Sequence, residues 1–98
     1  MAAYIVVFAQ IKDRKRFMED YAGHAAELVK KYGGEYLVRT PKVEPIEGGF
    51  AEGASSVISK WPNREAIEKF WNSPEYQRLK ETRQPMADCH VFVVEDPQ

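Results

Sequence analysis

Two side chains in this sequence could move a proton and hold a negative charge: His24 and Arg83. An imidazole titrates near neutral pH, so His24 could act as a general base or acid. The guanidinium of Arg83 offers a rigid fork of donors that suits a carboxylate or enolate oxygen. It could equally pair with an internal acid such as Glu47, since a buried arginine must have a partner. Arg39 stands mid-strand among apolar neighbours and poses the same question. Tyr21, Trp61, Trp71 and Tyr76 could wall a flat pocket for an aromatic molecule, or pack as core. Glu47, beside Gly48-Gly49, could close over a ligand as a loop acid or sit in a solvated turn. Cys89 and His90 are adjacent, so a strand sends them to opposite faces and one metal ion does not suit both. No Ser-His-Asp spacing, Rossmann pattern or P-loop is present, and no metal or cofactor is assigned.

These residues need a scaffold, and the hydrophobic pattern supplies one. Tyr4 to Ile11 is rich in β-branched and aromatic residues and predicts a strand, with Ile5, Val7, Ala9 and Ile11 on one face and Tyr4, Val6, Phe8 and Gln10 on the other. Asp13 can cap the helix that follows. Two adjacent stripes, Phe17-Tyr21-His24-Leu28 and Met18-Ala22-Ala25-Val29, form its buried face, and Gly33-Gly34 ends it. This phase places His24 on the sheet-facing side. Glu35 to Thr40 predicts a second strand, with Tyr36 and Val38 facing one way and Leu37 and Arg39 the other. A long Pro- and Gly-punctuated connection follows, with a short edge segment near Val43 to Ile46. Ser55 to Trp61 predicts a third strand, and Asn63 caps a second helix. Ser73-Pro74-Glu75 starts a third helix, which carries Tyr76, Leu79 and Arg83 on one face. Cys89 to Glu95 predicts the last strand.

The order β-α-β-β-α-β is the split-βαβ, ferredoxin-like arrangement: an α+β sandwich with a four-stranded antiparallel sheet, one domain over 1–98. Val7 to Tyr21 also aligns without gaps on Val57 to Trp71, an internal echo of the two halves.

Composition narrows the function classes. The 98 residues carry 14 Lys plus Arg against 15 Asp plus Glu, and no basic cluster, which argues against nucleic acid. One cysteine excludes an internal disulfide and suits a reducing compartment, so a cytoplasmic location is expected. No stretch is apolar enough to span a membrane. Both faces of the first and last strands are apolar. Helices can cover only one face, so the other, with Tyr4, Val6, Phe8, Phe92 and Val94 or else their alternates, predicts a homodimer packed sheet against sheet.

Taken in order, Tyr21, Gly33-Gly34, Leu37-Val38-Arg39, Glu47-Gly48, Trp61-Pro62, Ser73-Pro74-Glu75-Tyr76-Gln77 and Arg83 resemble the uncharacterised domain family numbered 1330 (DUF1330), of the dimeric α/β-barrel superfamily. The resemblance spans about Tyr4 to Glu95. It implies a ferredoxin-like subunit and a dimer whose two sheets form a barrel, and it implies no established reaction. Relatives in that superfamily include cofactor-free monooxygenases, small-ring isomerases and haem enzymes. Two positions depart from the pattern: Ala54 replaces a basic residue and Lys60 an acidic one. The expected function is binding of a small, partly apolar organic molecule in a helix–sheet cleft, extending to cofactor-free oxidation or isomerisation with His24 moving the proton and Arg83 holding the oxyanion. The alternative is a non-catalytic binding or structural dimer.

Overall fold

The computed structural model describes residues 1–97. Four strands, β1 (Ala3–Ile11), β2 (Glu35–Thr40), β3 (Ser55–Trp61) and β4 (Ala87–Glu95), form one antiparallel sheet in the order β2-β3-β1-β4. Period-2 alternation places Ala3, Ile5, Val7 and Ala9 on the face that the helices cover. Val7 stands directly opposite Val57, so the internal echo straddles the β1–β3 pairing at the centre of the sheet.

The helical layer comprises α1 (Arg14–Phe17), a π turn (Met18–Ala22), α2 (Gly23–Lys31), α3 (Arg64–Trp71) and α4 (Pro74–Arg83). The expected caps form. Asp13 accepts from the Arg16 amide at 3.1 Å, Asn63 from Ala66 at 2.9 Å, and Ser73 from Tyr76 at 3.1 Å ahead of Pro74. Gly33 has a positive φ of 95°, as the end of α2 requires, and Gly34 lies against the Trp61 indole. The core gathers Ala3, Ile5, Val29, Trp61, Ile67, Phe70 and Tyr76 between helices and sheet.

Two local irregularities correct the regular reading. The π turn holds one more residue per turn than an α-turn, so everything after it is rotated by ~100° relative to a continuous α-helix. Ala25 and Val29 face inward, as read from sequence, with Tyr21 beside them; Met18 lies at the cavity's edge, 55% exposed, and His24 is turned to solvent. In β2, Tyr36 pairs with Ser59 and Val38 with Ile58, so Leu37 is an extra, bulged residue. The bulge breaks the alternation and brings Tyr36 and Arg39 to the same, helix-covered face, opposite Ser59 and Val57. The expected edge segment at Val43 to Ile46 forms no strand. Val43 is held instead by backbone bonds to Ala54 and Gly53 at 2.8 and 3.1 Å.

On the far face of the sheet the expectation of an apolar surface holds in part. Phe50, from the connection between β2 and β3, stacks edge-on against Phe8 at 5.3 Å and His90 at 5.8 Å, which shields one end. The other end leaves Leu37, Val38, Phe92 and Val94 between 45% and 49% exposed. Among the described residues no helix is long and apolar enough to cross a membrane.

Candidate functional site

Between the helical layer and the sheet lies a cavity of about 280 Å³. Its floor is the inward face of the sheet, Ile5, Val7, Val57 and Val91 among others, and its roof is the π turn with Ala25 and Val29 of α2. The walls are overwhelmingly apolar, with a few polar groups set into them, the usual composition of a small-molecule site.

The inner polar groups come from α4 and the π turn. Proline at the first position of α4 and the Ser73 cap fix its start, and one and three turns further in Tyr76 and Arg83 point to the core side. The Tyr21 and Tyr76 hydroxyls lie 2.8 Å apart in a hydrogen bond that either can donate. Two phenols carry two protons and this bond uses one. The second proton has no acceptor among the described residues. Burial pushes the Tyr21 phenol far above its ordinary range, with Tyr76 adding to the effect. Burial also raises Tyr76, against the opposing pull of its bond to Tyr21 and of Arg83. Both stay neutral donors at physiological pH. Trp71 extends the aromatic wall, its ring 5.1 Å from that of Tyr76, with the Lys80 ammonium 5.2 Å from the Trp71 ring.

Arg83 is 7% exposed, yet it enters no ion pair with a described residue, and its Nε has no hydrogen-bond partner there. Its guanidinium carbon lies 6.0 Å from the Tyr21 ring centre, and its neighbour in the wall is Cys89, whose thiol is raised by burial while Arg83 pulls it back. Glu47, the acid considered as its partner, is exposed and lines a separate groove in the β2–β3 connection. At the rim, Arg39 stacks over the Tyr36 ring at 4.8 Å and Arg14 donates to the Ser55 hydroxyl at 2.7 Å.

Of the residues singled out from sequence, the fold therefore brings Tyr21, Arg39, Trp71, Tyr76 and Arg83 around one cavity. It leaves three outside. His24 is turned to solvent by the π turn, Glu47 belongs to the distant loop, and Trp61 is core, 1% exposed, its indole N–H donating to Ser59 at 2.9 Å. Sequence reasoning missed Tyr36 and Arg14. The bulge concealed the first. The second stands just after the Asp13 cap, where its charge reads as a solvated helix start. Among the described residues no cluster of His, Cys, Asp and Glu could hold a metal ion.

Comparison with known proteins places this geometry in a family. The model of the Domain of unknown function (DUF1330) family matches residues 2–97. A protein of unknown function from Rhodopseudomonas palustris, RPA0582, superposes with a TM-score of 0.79 at 13% identity, over 99% of this chain and 83% of that one. SnoaB, a cofactor-independent oxygenase from Streptomyces nogalater, superposes with a TM-score of 0.72 at 11% identity, over 99% and 94%. A protein from Bacteroides fragilis described as dimeric, of unknown function and ferredoxin-like fold, gives 0.66 at 12% identity, over 97% and 96%. No curated protein matches the chain. At such identities the structures share the fold alone, which is ferredoxin-like. The chain belongs to the DUF1330 family.

Proposed function

We propose that this DUF1330 protein is a homodimer that binds a small, partly apolar organic molecule in the cavity between its helices and its sheet. The cavity itself carries this reading. Protein interiors pack at crystal-like density with few voids larger than a water molecule. A pocket of about 280 Å³ that opens at its rim, walled by apolar side chains and furnished with a spare phenolic donor, has the build of a site. Neither the π turn nor the bulge in β2 is needed to close a plain core, and each brings side chains into this wall.

The chemistry of the walls favours binding over proton transfer. No His, Asp or Glu is among the described lining residues, and the phenols and the thiol there are all held protonated by burial. With His24 outside, proton abstraction by that residue is no longer part of the reading. The fold likeness to an oxygenase does not replace it, because a fold hosts many functions. The two-fold assembly is supported by the open half of the far sheet face and by the dimeric description of one neighbour of the same fold.

The test of the cavity is to fill it. Ala25 is buried against the void, and Ala25→Phe places a ring inside it. With 2-naphthol as probe, the native protein should gain melting temperature and show Trp71 fluorescence quenching, and the folded Ala25→Phe protein should show neither. Equal responses from the two proteins, or none from either at millimolar probe, would refute the reading.

A further inference from the structure

The arginines around this cavity have no acids to answer them, and that narrows what the cavity takes. Resting on the reading above, we propose that the ligand is an organic anion: a flat, apolar body bearing a carboxylate that enters first and seats on Arg83.

Three arginines, Arg14, Arg39 and Arg83, line the void, and no Asp or Glu among the described residues lines it with them. None of the three is in an ion pair with a described residue. Elsewhere Lys31 pairs with Glu75, Arg64 with Glu68 and Glu95, Arg16 with Asp20 and Lys12 with Asp88, and the remaining cations are exposed or half-buried, where water solvates them. What is particular to the cavity is burial: Arg83 is the one buried cation among the described residues, and it has no ion-pair partner among them. Arg14 and Arg39 are held in place by a hydroxyl and an aromatic face, contacts that fix a guanidinium without neutralising it.

Arg83 sets the polarity of the bound molecule. A buried guanidinium without a counter-charge is costly, and an Nε with no acceptor adds to the cost. An incoming carboxylate supplies the missing counter-charge and accepts from the guanidinium's donors. The spare phenolic proton of the Tyr21–Tyr76 pair is a further donor in the same wall. Around these donors the walls are apolar or aromatic, so the rest of the ligand is hydrocarbon or ring. Arg14 and Arg39 are exposed at the rim, where they raise the local concentration of anions and speed their entry.

The experiment compares matched pairs of acids and amides: benzoate, 2-naphthoate and 2-anthroate against the corresponding carboxamides, by titration calorimetry. The single cysteine, Cys89, lines the cavity and reports occupancy through protection from a thiol reagent. The expected result is at least one acid binding tenfold or more tightly than its amide, weakening as salt rises, and protecting Cys89. In Arg83→Met the preference should fall to near parity. If that variant does not fold, the exposed Arg39→Gln should still bind the acid several-fold more weakly with a shallower salt dependence. Acids and amides that bind equally and both protect Cys89 would overturn the anion proposal and leave the cavity reading standing. An acid that binds without protecting Cys89 would also overturn it. If no compound of either series binds, both fail.

Discussion

If two copies pack through the open half of the sheet, Phe92 is the residue whose loss should separate them. It stands on β4 opposite Val6, 6.4 Å from the ring of Phe8, and is 45% exposed in the single chain. Taking ~200 Å² for a phenylalanine, roughly 90 Å² of it would leave water in each copy on full coverage. At ~25 cal/mol per Å² that is about 2 kcal/mol per copy. The two-fold axis uses the ring twice, so truncation would cost about 4–5 kcal/mol, roughly a thousand-fold in Kd. Phe92→Asp goes further, because it places two unpaired carboxylates in the contact. The subunit should survive the change, since the ring lies outside the core between sheet and helices. Sedimentation velocity from low micromolar to near-millimolar protein decides the matter, with far-UV circular dichroism to confirm the fold. The native chain should sediment as a dimer and Phe92→Asp as a folded monomer. A variant that sediments as the native protein does would refute the geometry of the contact. A native chain that stays monomeric at the highest concentration would refute the assembly.

Four further outcomes follow from particular contacts. Gly34→Ala would put a methyl 2.6–2.8 Å from the Trp61 ring, which is buried on all sides, so ~1–3 kcal/mol should be lost; an unchanged melting temperature would show that the indole can move. Tyr21→Phe and Tyr76→Phe should each destabilise, and the double-mutant cycle should return a coupling of about 0.5–1.5 kcal/mol in chemical denaturation, whereas additivity would deny the shared bond. Glu75 is held below its ordinary range by its bonds to Lys31 and Tyr32, so the stability it adds is present above the unfolded carboxylate pKa and is lost as pH falls through the folded one. The gap in melting temperature between the native chain and Glu75→Gln should thus exist at neutral pH and close in acid; a gap that persists in acid would point to another cause. The rate of Cys89 alkylation should climb only above the ordinary thiol range, and Arg83→Met should move that climb to still higher pH, because burial raises the thiol and Arg83 opposes it.

The resemblance to sheet-covering ferredoxin-like chains was legible because the long-range pattern is redundant. Alternation in β1 and β4, the caps at Asp13, Asn63 and Ser73, and the glycines after α2 each point to the same order of elements. The shared buried face of Tyr76 and Arg83 is legible for a related reason. They sit on a regular helix whose start is fixed by a hydroxyl and a proline, so their phase can be counted without error.

The candidate site is less legible, and the reason is the same at two places. Periodicity predicts a side chain's direction only while the count of residues per turn, or per pleat, stays constant. One surplus residue in the π turn turned His24 outward; one surplus residue at Leu37 turned Arg39 inward beside Tyr36. Neither has a local sequence signal as plain as a proline or a paired glycine. A π turn gives up part of the regular bonding ladder, and a bulge leaves a residue unpaired, so each persists only where the surroundings favour it. Here both irregularities border the same void. The first removes the ionisable imidazole from its walls, and the second adds a guanidinium. Together they exchange a titratable imidazole for a permanent cation at the cavity, and on that exchange the proposal of an anionic ligand rests.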